Sequence, residues 1–309
     1  MKIAMLYASW EKFGESWSTP MGFKAELMSR GHEVTHFNLY HDDGMLPRDK
    51  MRKYSNQGIN ELFTLYNRGQ YIPDVIFCMD YGPWDAVAFD KQYFPNSILI
   101  KECGDEPQAF KYHKVAAPRV HLLLSPDLRC TNWYNQNGFN AKWWTHCADT
   151  KIFYPRTNIA QVFDCVSTCG GRRVTSEIQK ELGDRFNNER YFYGDDHANR
   201  LSMGKIVFQC SQFGEVTRRI FEGMACGRMV LTDRLAPETG LSEMFIDGTD
   251  LVYYNSAQDA IDKINYYSSH DAEREAIAKN GHDKVMANHT VKQRIDVFEQ
   301  EILNTVKEI

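Results

Sequence analysis

Residues 205–247 read KIVFQCSQFGEVTRRIFEGMACGRMVLTDRLAPETGLSEMFID, and this stretch decides the fold. It opens on an apolar run, Ile206 to Phe208, and passes a polar turn at Ser211 and Gln212. It then continues as a helix with Val216, Ile220, Met224 and Ala225 on one face. Gly227 stands where a helix ends in a left-handed cap, and Met229 to Thr232 reads as a buried strand. Strand, helix, strand is the unit of a parallel sheet. Glu222, the carboxylate inside the helix, would then lie beside the carboxyl ends of the strands. There a Glu accepts two hydroxyl hydrogen bonds from a ribose, although spacing alone also allows a solvated helical residue.

The same alternation extends in both directions. Toward the N-terminus of this half, strands are expected at 163–168 and 190–193, with a helix ending at Leu182 between them. The first half repeats the pattern, with strands at 2–7, 34–39, 74–79, 97–100, 120–124 and 142–146 and helices at 19–30, 56–68 and 126–137. The polar stretch 148–158, which contains Pro155, interrupts it. The expected organisation is therefore α/β with two doubly wound Rossmann-like domains, residues 1–150 and 160–290. A final amphipathic helix over 291–309 presents Val291, Ile295, Phe298, Ile302 and Val306 and packs at the junction.

Composition narrows the class. The chain has 309 residues, a formal charge of −5 and 43% apolar residues, as in a globular protein with two cores rather than a general polyanion binder. Its eight cysteines include no Cys-x-x-Cys pair and fall in apolar runs, which fits reduced thiols better than disulfides or zinc. No apolar stretch is long enough to span a membrane, and the first residues read as a strand rather than a signal peptide, so a cytoplasmic enzyme is expected.

Arg219, Glu222, Gly227 and Asp233 in their local contexts, followed by Phe245 to Gly248, Asn280-Gly281 and His289-Thr290, resemble the donor-site signature of group 1 glycosyltransferases. The nearest branch is the CgeB-like one, and the likeness is clear over about 165–300. It implies the glycosyltransferase-B architecture, two such domains facing a cleft, with a nucleotide-diphosphate sugar (a UDP-sugar) as co-substrate and no cofactor. It also raises the expectation that Glu222 binds the donor. Related retaining transferases carry two Glu separated by seven positions. That spacing would need an acid at 214, where this chain has Gly214 followed by Glu215, so the role of Glu215 and the anomeric outcome stay open.

A diphosphate needs backbone N–H donors or cations before a helix. Gly170, Gly171, Arg172 and Arg173 supply them, and Lys205 is a further candidate. The long loop 9–17, with Gly14, is placed on the ligand side of the first strand. No Gly-x-Gly-x-x-Gly occurs there, which disfavours a dinucleotide site. No Asp-x-Asp occurs in the chain, so no metal is expected and arginine or lysine takes its place at the diphosphate. Candidates for the base that deprotonates the acceptor are Asp80, Asp105, Glu106 and His113. His146 reads either as a cleft residue or as a structural histidine.

The acceptor class stays open among a saccharide, a protein and a hydroxymethylated DNA base. Basic and aromatic residues interleave in Arg48, Lys50, Arg52, Lys53 and Tyr54, and again from Phe110 to Lys114 and at Arg119. Two rival readings carry the same fold: a non-catalytic nucleotide or carbohydrate-binding protein and a nucleotide-sugar epimerase.

Overall fold

Lys2–Tyr7 is buried from its second residue on, as suits a strand in a parallel sheet covered on both faces. The computed structural model describes residues 1–10, 15–16, 18–39, 56–79, 89–169, 172–189 and 192–308. It divides the chain into two units, residues 1–145 with 292–309, and residues 146–291. In the first unit the order is β1 (Lys2–Tyr7), a short antiparallel pair β2 (Ser9–Trp10) and β3 (Glu15–Ser16), α1 (Ser18–Ser29), β4 (Glu33–Asn38), α2 (Gln57–Asn67), β5 (Val75–Cys78), β6 (Ile98–Glu102), α3 (Phe110–Ala116), β7 (Leu122–Ser125), α4 (Leu128–Gln136) and β8 (Ala141–Trp143). Six strands form one parallel sheet in the order β4-β1-β5-β6-β7-β8.

The second unit runs β9 (Phe163–Ser167), α5 (Arg173–Leu182), β10 (Phe186–Asn188), α6 (Gly194–Ser202), β11 (Gly204–Gln209), α7 (Arg218–Ala225), β12 (Met229–Asp233), α8 (Leu241–Met244), β13 (Val252–Tyr254), α9 (Ala257–Ser269) and α10 (Asp271–Asn288). Its sheet is also parallel, in the order β10-β9-β11-β12-β13. The chain steps to one side of β9 and returns on the other, so strand order reverses between β9 and β11. Open α/β sheets bind ligands at the carboxyl ends of the strands at such a reversal.

Close packing fixes α7 and α10 on this sheet. A Cβ at Gly223 would stand 3.0 Å from Val207 and 3.1 Å from Val230, so the missing side chain lets α7 approach β11 and β12. Gly227 caps α7 in the left-handed conformation, φ +70°, as its position after the last helical turn predicts. Phe221 is wholly buried, and burial of a side chain of that size contributes about 1.5–3 kcal/mol.

Two local expectations are corrected. The strand expected at 190–193 lies earlier, at β10, where Phe186 pairs with Cys165. Residues 190 and 191 fall outside the described residues. The helix α6 behind it was not foreseen, because Gly194, Asp195, Asp196, His197 and Asn199 are weak helix formers and its hold is tertiary: Ala198 and Leu201 are fully buried. The last helix, α11 (Val291–Glu308), packs Phe298 against Phe77 and Trp144 at centroid distances of 4.6 and 6.2 Å, and Arg30 pairs with Asp296 and Glu299. Val306 was expected on its apolar face but is 56% exposed. All eight cysteines are buried and unbridged, and no helix among the described residues is long and apolar enough to cross a membrane.

Candidate functional site

At the carboxyl ends of β9 and β11 the two following loops meet. Arg172 is the N-cap residue of α5, and its guanidinium donates to Gln212 Oε1 at 2.6 Å, from the loop after β11. The Arg172 Nε is buried and has no partner among the described residues. Ser211 is pinned by Asp233 at the end of β12, which accepts from its backbone N–H at 3.0 Å and from its hydroxyl. This leaves Phe213 at the loop tip, 43% exposed.

Beneath the loop, Gln209 organises a buried polar cluster. Its Oε1 accepts from Arg219 Nε at 2.9 Å and lies 2.7 Å from Cys169 Sγ, while its Nε2 donates to the Cys210 carbonyl at 2.9 Å. The Arg219 pKa is raised: burial opposes the charge, but Cys169 and Glu222 beside it outweigh that cost. Thr217, the N-cap residue of α7, keeps a buried hydroxyl that has no partner among the described residues. The first turn of α7 therefore presents backbone N–H groups, the positive end of the helix dipole and two arginines together.

Glu222 is only 6% exposed, one turn into α7, with His197 Nδ1 of α6 at 3.8 Å. This is not a solvated helical glutamate. His197 packs edge-on to Phe153, and burial holds its pKa low despite the neighbouring carboxylate. His146 lies against the segment before α7 and near Phe221. Burial first, then the Arg218 charge, pushes it down to about 3, so the ring is neutral.

The other candidates separate. Arg173 is 94% exposed and donates at 2.7 Å to Glu177 one turn along α5, away from Gln212. Lys205 is the second residue of β11, with its ammonium 3.0 Å from the Ser268 carbonyl and 3.4 Å from Asp164. It sits at the amino end of the strand, about 20 Å of extended chain from Ser211, so the structure does not bring it to the loops. The Glu215 carboxylate accepts from the backbone N–H groups of Gln212 and Phe213 at 2.9 and 2.5 Å and thereby shapes the loop. Gly14, Asp80, Gly170 and Gly171 lie outside the described residues, as do residues 48–54.

In the first unit, Asp105 is exposed just beyond β6 in a left-handed conformation, φ +52°, which Asp tolerates better than most residues. His113 is different. It is fully buried, its Nδ1 is 3.1 Å from Glu106 Oε1, and its Nε2 has no partner among the described residues. Glu106 also accepts from Tyr134 at 2.6 Å and from Ser125. The expectation of His113 as a base open to an acceptor is therefore corrected: the ring belongs to an internal network under α3.

Cys103, Glu106 and His113 bring three potential metal ligands within 4.8 Å of one another. Within it Glu106 accepts from Tyr134 and Ser125 and meets His113, and Lys101 is buried nearby.

Sequence reasoning passed over Gln209, Thr217 and His197. Each is an ordinary residue made notable only by what it meets in space.

Residues 159–300 match the family model described as "Glycosyl transferase-like". No curated protein sequence matches the chain. Among solved structures, sucrose-phosphate synthase from Thermosynechococcus elongatus superposes with a TM-score of 0.68 at 12% identity, covering 98% of this chain and 99% of that one. Anabaena Alr3699/HepE in complex with UDP-glucose gives 0.67 at 14% identity, covering the whole of both chains. An α-glucosyltransferase in complex with UDP and a 13-mer DNA gives 0.64 at 11% identity, covering 98% and 100%. The architecture is the glycosyltransferase-B fold. The chain, which carries a glycosyl transferase-like domain on that fold, is a glycosyltransferase enzyme.

Proposed function

We propose that the protein transfers a sugar from a UDP-sugar to an acceptor hydroxyl, with the nucleotide held on the second unit and the diphosphate neutralised by arginine rather than by a metal. The carrying observation is the meeting of Arg172 and Gln212 where strand order reverses, which puts a cation with an unpaired N–H over the carboxyl ends of β9 and β11. In this reading the diphosphate lies between Arg172 and the N-terminus of α7, with the Thr217 hydroxyl and Arg219 as further donors. Glu222 takes the ribose hydroxyls. The solved neighbour holding UDP-glucose supports the choice of nucleotide, and the match over 159–300 is compatible with the CgeB-like branch.

The accepting hydroxyl needs a base, and of the candidates in the described first unit Asp105 is the exposed one at a strand end. A second reading concerns the acceptor. A neighbour of the same fold was solved with DNA, and α3 carries Lys111 over Tyr112 and Lys114 over Phe110 and Trp133, at 4.7, 5.0 and 5.1 Å from the ring centroids. A hydroxymethylated base is thus one acceptor to test beside saccharides and proteins.

The experiment is a donor screen with UDP, UMP and UDP-sugars, followed by turnover in the presence of EDTA. UDP should bind more tightly than UMP, and turnover should persist in EDTA. Equal binding of UMP and UDP would remove the diphosphate assignment. Loss of turnover in EDTA, restored by a divalent cation, would remove the metal-independent one. Interconversion of two UDP-sugars without loss of UDP would identify an epimerase instead.

A further inference from the structure

Cys169 and Cys210 stand just past the carboxyl ends of the neighbouring strands β9 and β11, each two residues beyond the last paired position, Phe208 with Ser167. Adjacent strands lie about 4.8 Å apart, within the range of Cα separations a disulfide spans, about 4.4–6.8 Å. The Cys169 sulfur already reaches its neighbour, accepting from the Cys210 backbone N–H at 3.4 Å. We propose that these two residues are a dithiol that closes to a disulfide when a hydroperoxide reaches it, and that closure turns off nucleotide binding. The second half rests on the donor site described above; the first half does not.

The two sulfurs are unlike. Burial pushes the Cys169 thiol up, but the hydrogen bond with Cys210 and the Arg219 guanidinium outweigh it and hold the thiol down at about 5. Cys210 is pushed up by its hydrogen bond to Cys169 and then by burial. Cys169 is the sulfur that ionises more readily and attacks, once its proton leaves Gln209 Oε1, and Cys210 is the one that resolves. Elsewhere the balance runs the other way: burial raises Cys103, Cys130, Cys165 and Cys226. Cys169 is thereby set apart from these four buried cysteines.

The chemistry balances with hydrogen peroxide as oxidant. The Cys169 thiolate attacks one peroxide oxygen, the O–O bond breaks and hydroxide leaves, giving a sulfenic acid. The Cys210 sulfur then attacks the Cys169 sulfur, the S–O bond breaks, and the hydroxyl departs with the Cys210 proton as water. Closure draws the Cys169 sulfur from Gln209 Oε1, the atom that also holds Arg219, and pulls on the residue from which the 211–214 loop hangs.

The test is peroxide treatment of the whole chain, thiol blocking and peptide mapping, with UDP affinity measured before and after. The wild type should lose two hydrogen atoms, yield a Cys169–Cys210 linked peptide, and lose at least about tenfold in UDP affinity, recovered with dithiothreitol. C210S should instead accumulate a dimedone-reactive sulfenic acid at Cys169, and C169S should form neither product. A wild type in which Cys169 remains a thiol, or cross-links to another cysteine, overturns the dithiol. Cross-linking with unchanged UDP affinity overturns the gating. If the reduced protein fails to bind UDP at all, the donor-site reading falls while the peptide map still decides the dithiol.

Discussion

Arg172 and Gln212 are forty positions apart in the chain and 2.6 Å apart in space, and their hydrogen bond ties the loop after β9 to the loop after β11. Arg173, the next residue, turns outward to Glu177. Two adjacent arginines of one motif thus have different duties. Replacing Arg172 by Ala should weaken UDP by about 1.5–3 kcal/mol, the scale of a charge-assisted hydrogen bond, and uridine far less. Arg173→Ala should leave the affinity for either ligand essentially unchanged, as befits an exposed pair. Calorimetric titration of the two variants decides it, and a larger loss in the Arg173 variant would reverse the assignment.

Glu222 is tested through the group it is proposed to hold. Glu222→Gln should cost about 1.5–3 kcal/mol in UDP binding with the melting temperature nearly unchanged. Against 2′,3′-dideoxy-UDP the same substitution should cost nothing, because the partner hydroxyls are gone. A loss that persists with the dideoxy nucleotide would mean that Glu222 acts by arranging His197, 3.8 Å away, and not by contact.

Much of the architecture was legible because each parallel strand is a short apolar run. Ile206 to Phe208 and Met229 to Leu231 are all but fully buried, and Gly227 caps the helix between them as its type suggests. The β10–α6 region was not legible: Phe186 is followed by two asparagines, and α6 is built from weak helix formers, so both elements take their identity from the sheet they join. At the site, Glu222 stood out only through the resemblance to the donor-site signature, because its spacing on the helix is equally that of a solvated residue. Cys169, Gln209 and Arg219 could not be grouped from a sequence in which they are spread over fifty residues and meet only because β9 and β11 are neighbours.

The packing of α10 on α7 gives a stability prediction. A Cβ at Gly281 would stand 2.3 Å from the Asp250 carbonyl oxygen and 3.3 Å from Met224. Within a helix, Gly→Ala would ordinarily gain about 0.5–1 kcal/mol. Here the clash is with backbone, so Gly281→Ala should lower stability by about 1–3 kcal/mol. Urea denaturation measures this, and a stabilised variant would show that α10 can shift at no cost.

His113 gives a pH dependence. Burial holds its pKa below the ordinary value of 6.5, despite the opposing pull of Glu106, so the folded protein keeps the ring neutral where an unfolded chain would protonate it. The unfolded state then binds the extra proton below pH 6.5. Stability should fall as pH drops from 6.5 toward the folded pKa, by up to about 1.4 kcal/mol per pH unit from this group, and be unaffected by it above 7. In His113→Gln that slope should shrink by up to one proton. Unfolding free energies at pH 7, 6 and 5 test it, and identical slopes in both proteins would show that the ring is protonated in the fold.

The acceptor is tested most directly on α3. Lys111 and Lys114 stand exposed over aromatic rings, an arrangement in which cations neutralise phosphates while rings stack on bases. His113, between them, is buried and contributes nothing to such a face. If the face receives duplex DNA, binding should weaken steeply with salt. Replacing both lysines by Ala should reduce the slope of log K against log salt by about 1.8, two phosphate contacts at about 0.9 each. Sugar should then be incorporated into hydroxymethylcytosine-containing duplex and not into the unmodified one. A net charge of −5 opposes polyanion binding at long range, so the contact must come from this local face, and the double variant isolates it. Salt-independent binding, or transfer to a saccharide with the double variant as active as the wild type, would assign α3 an ordinary solvated surface.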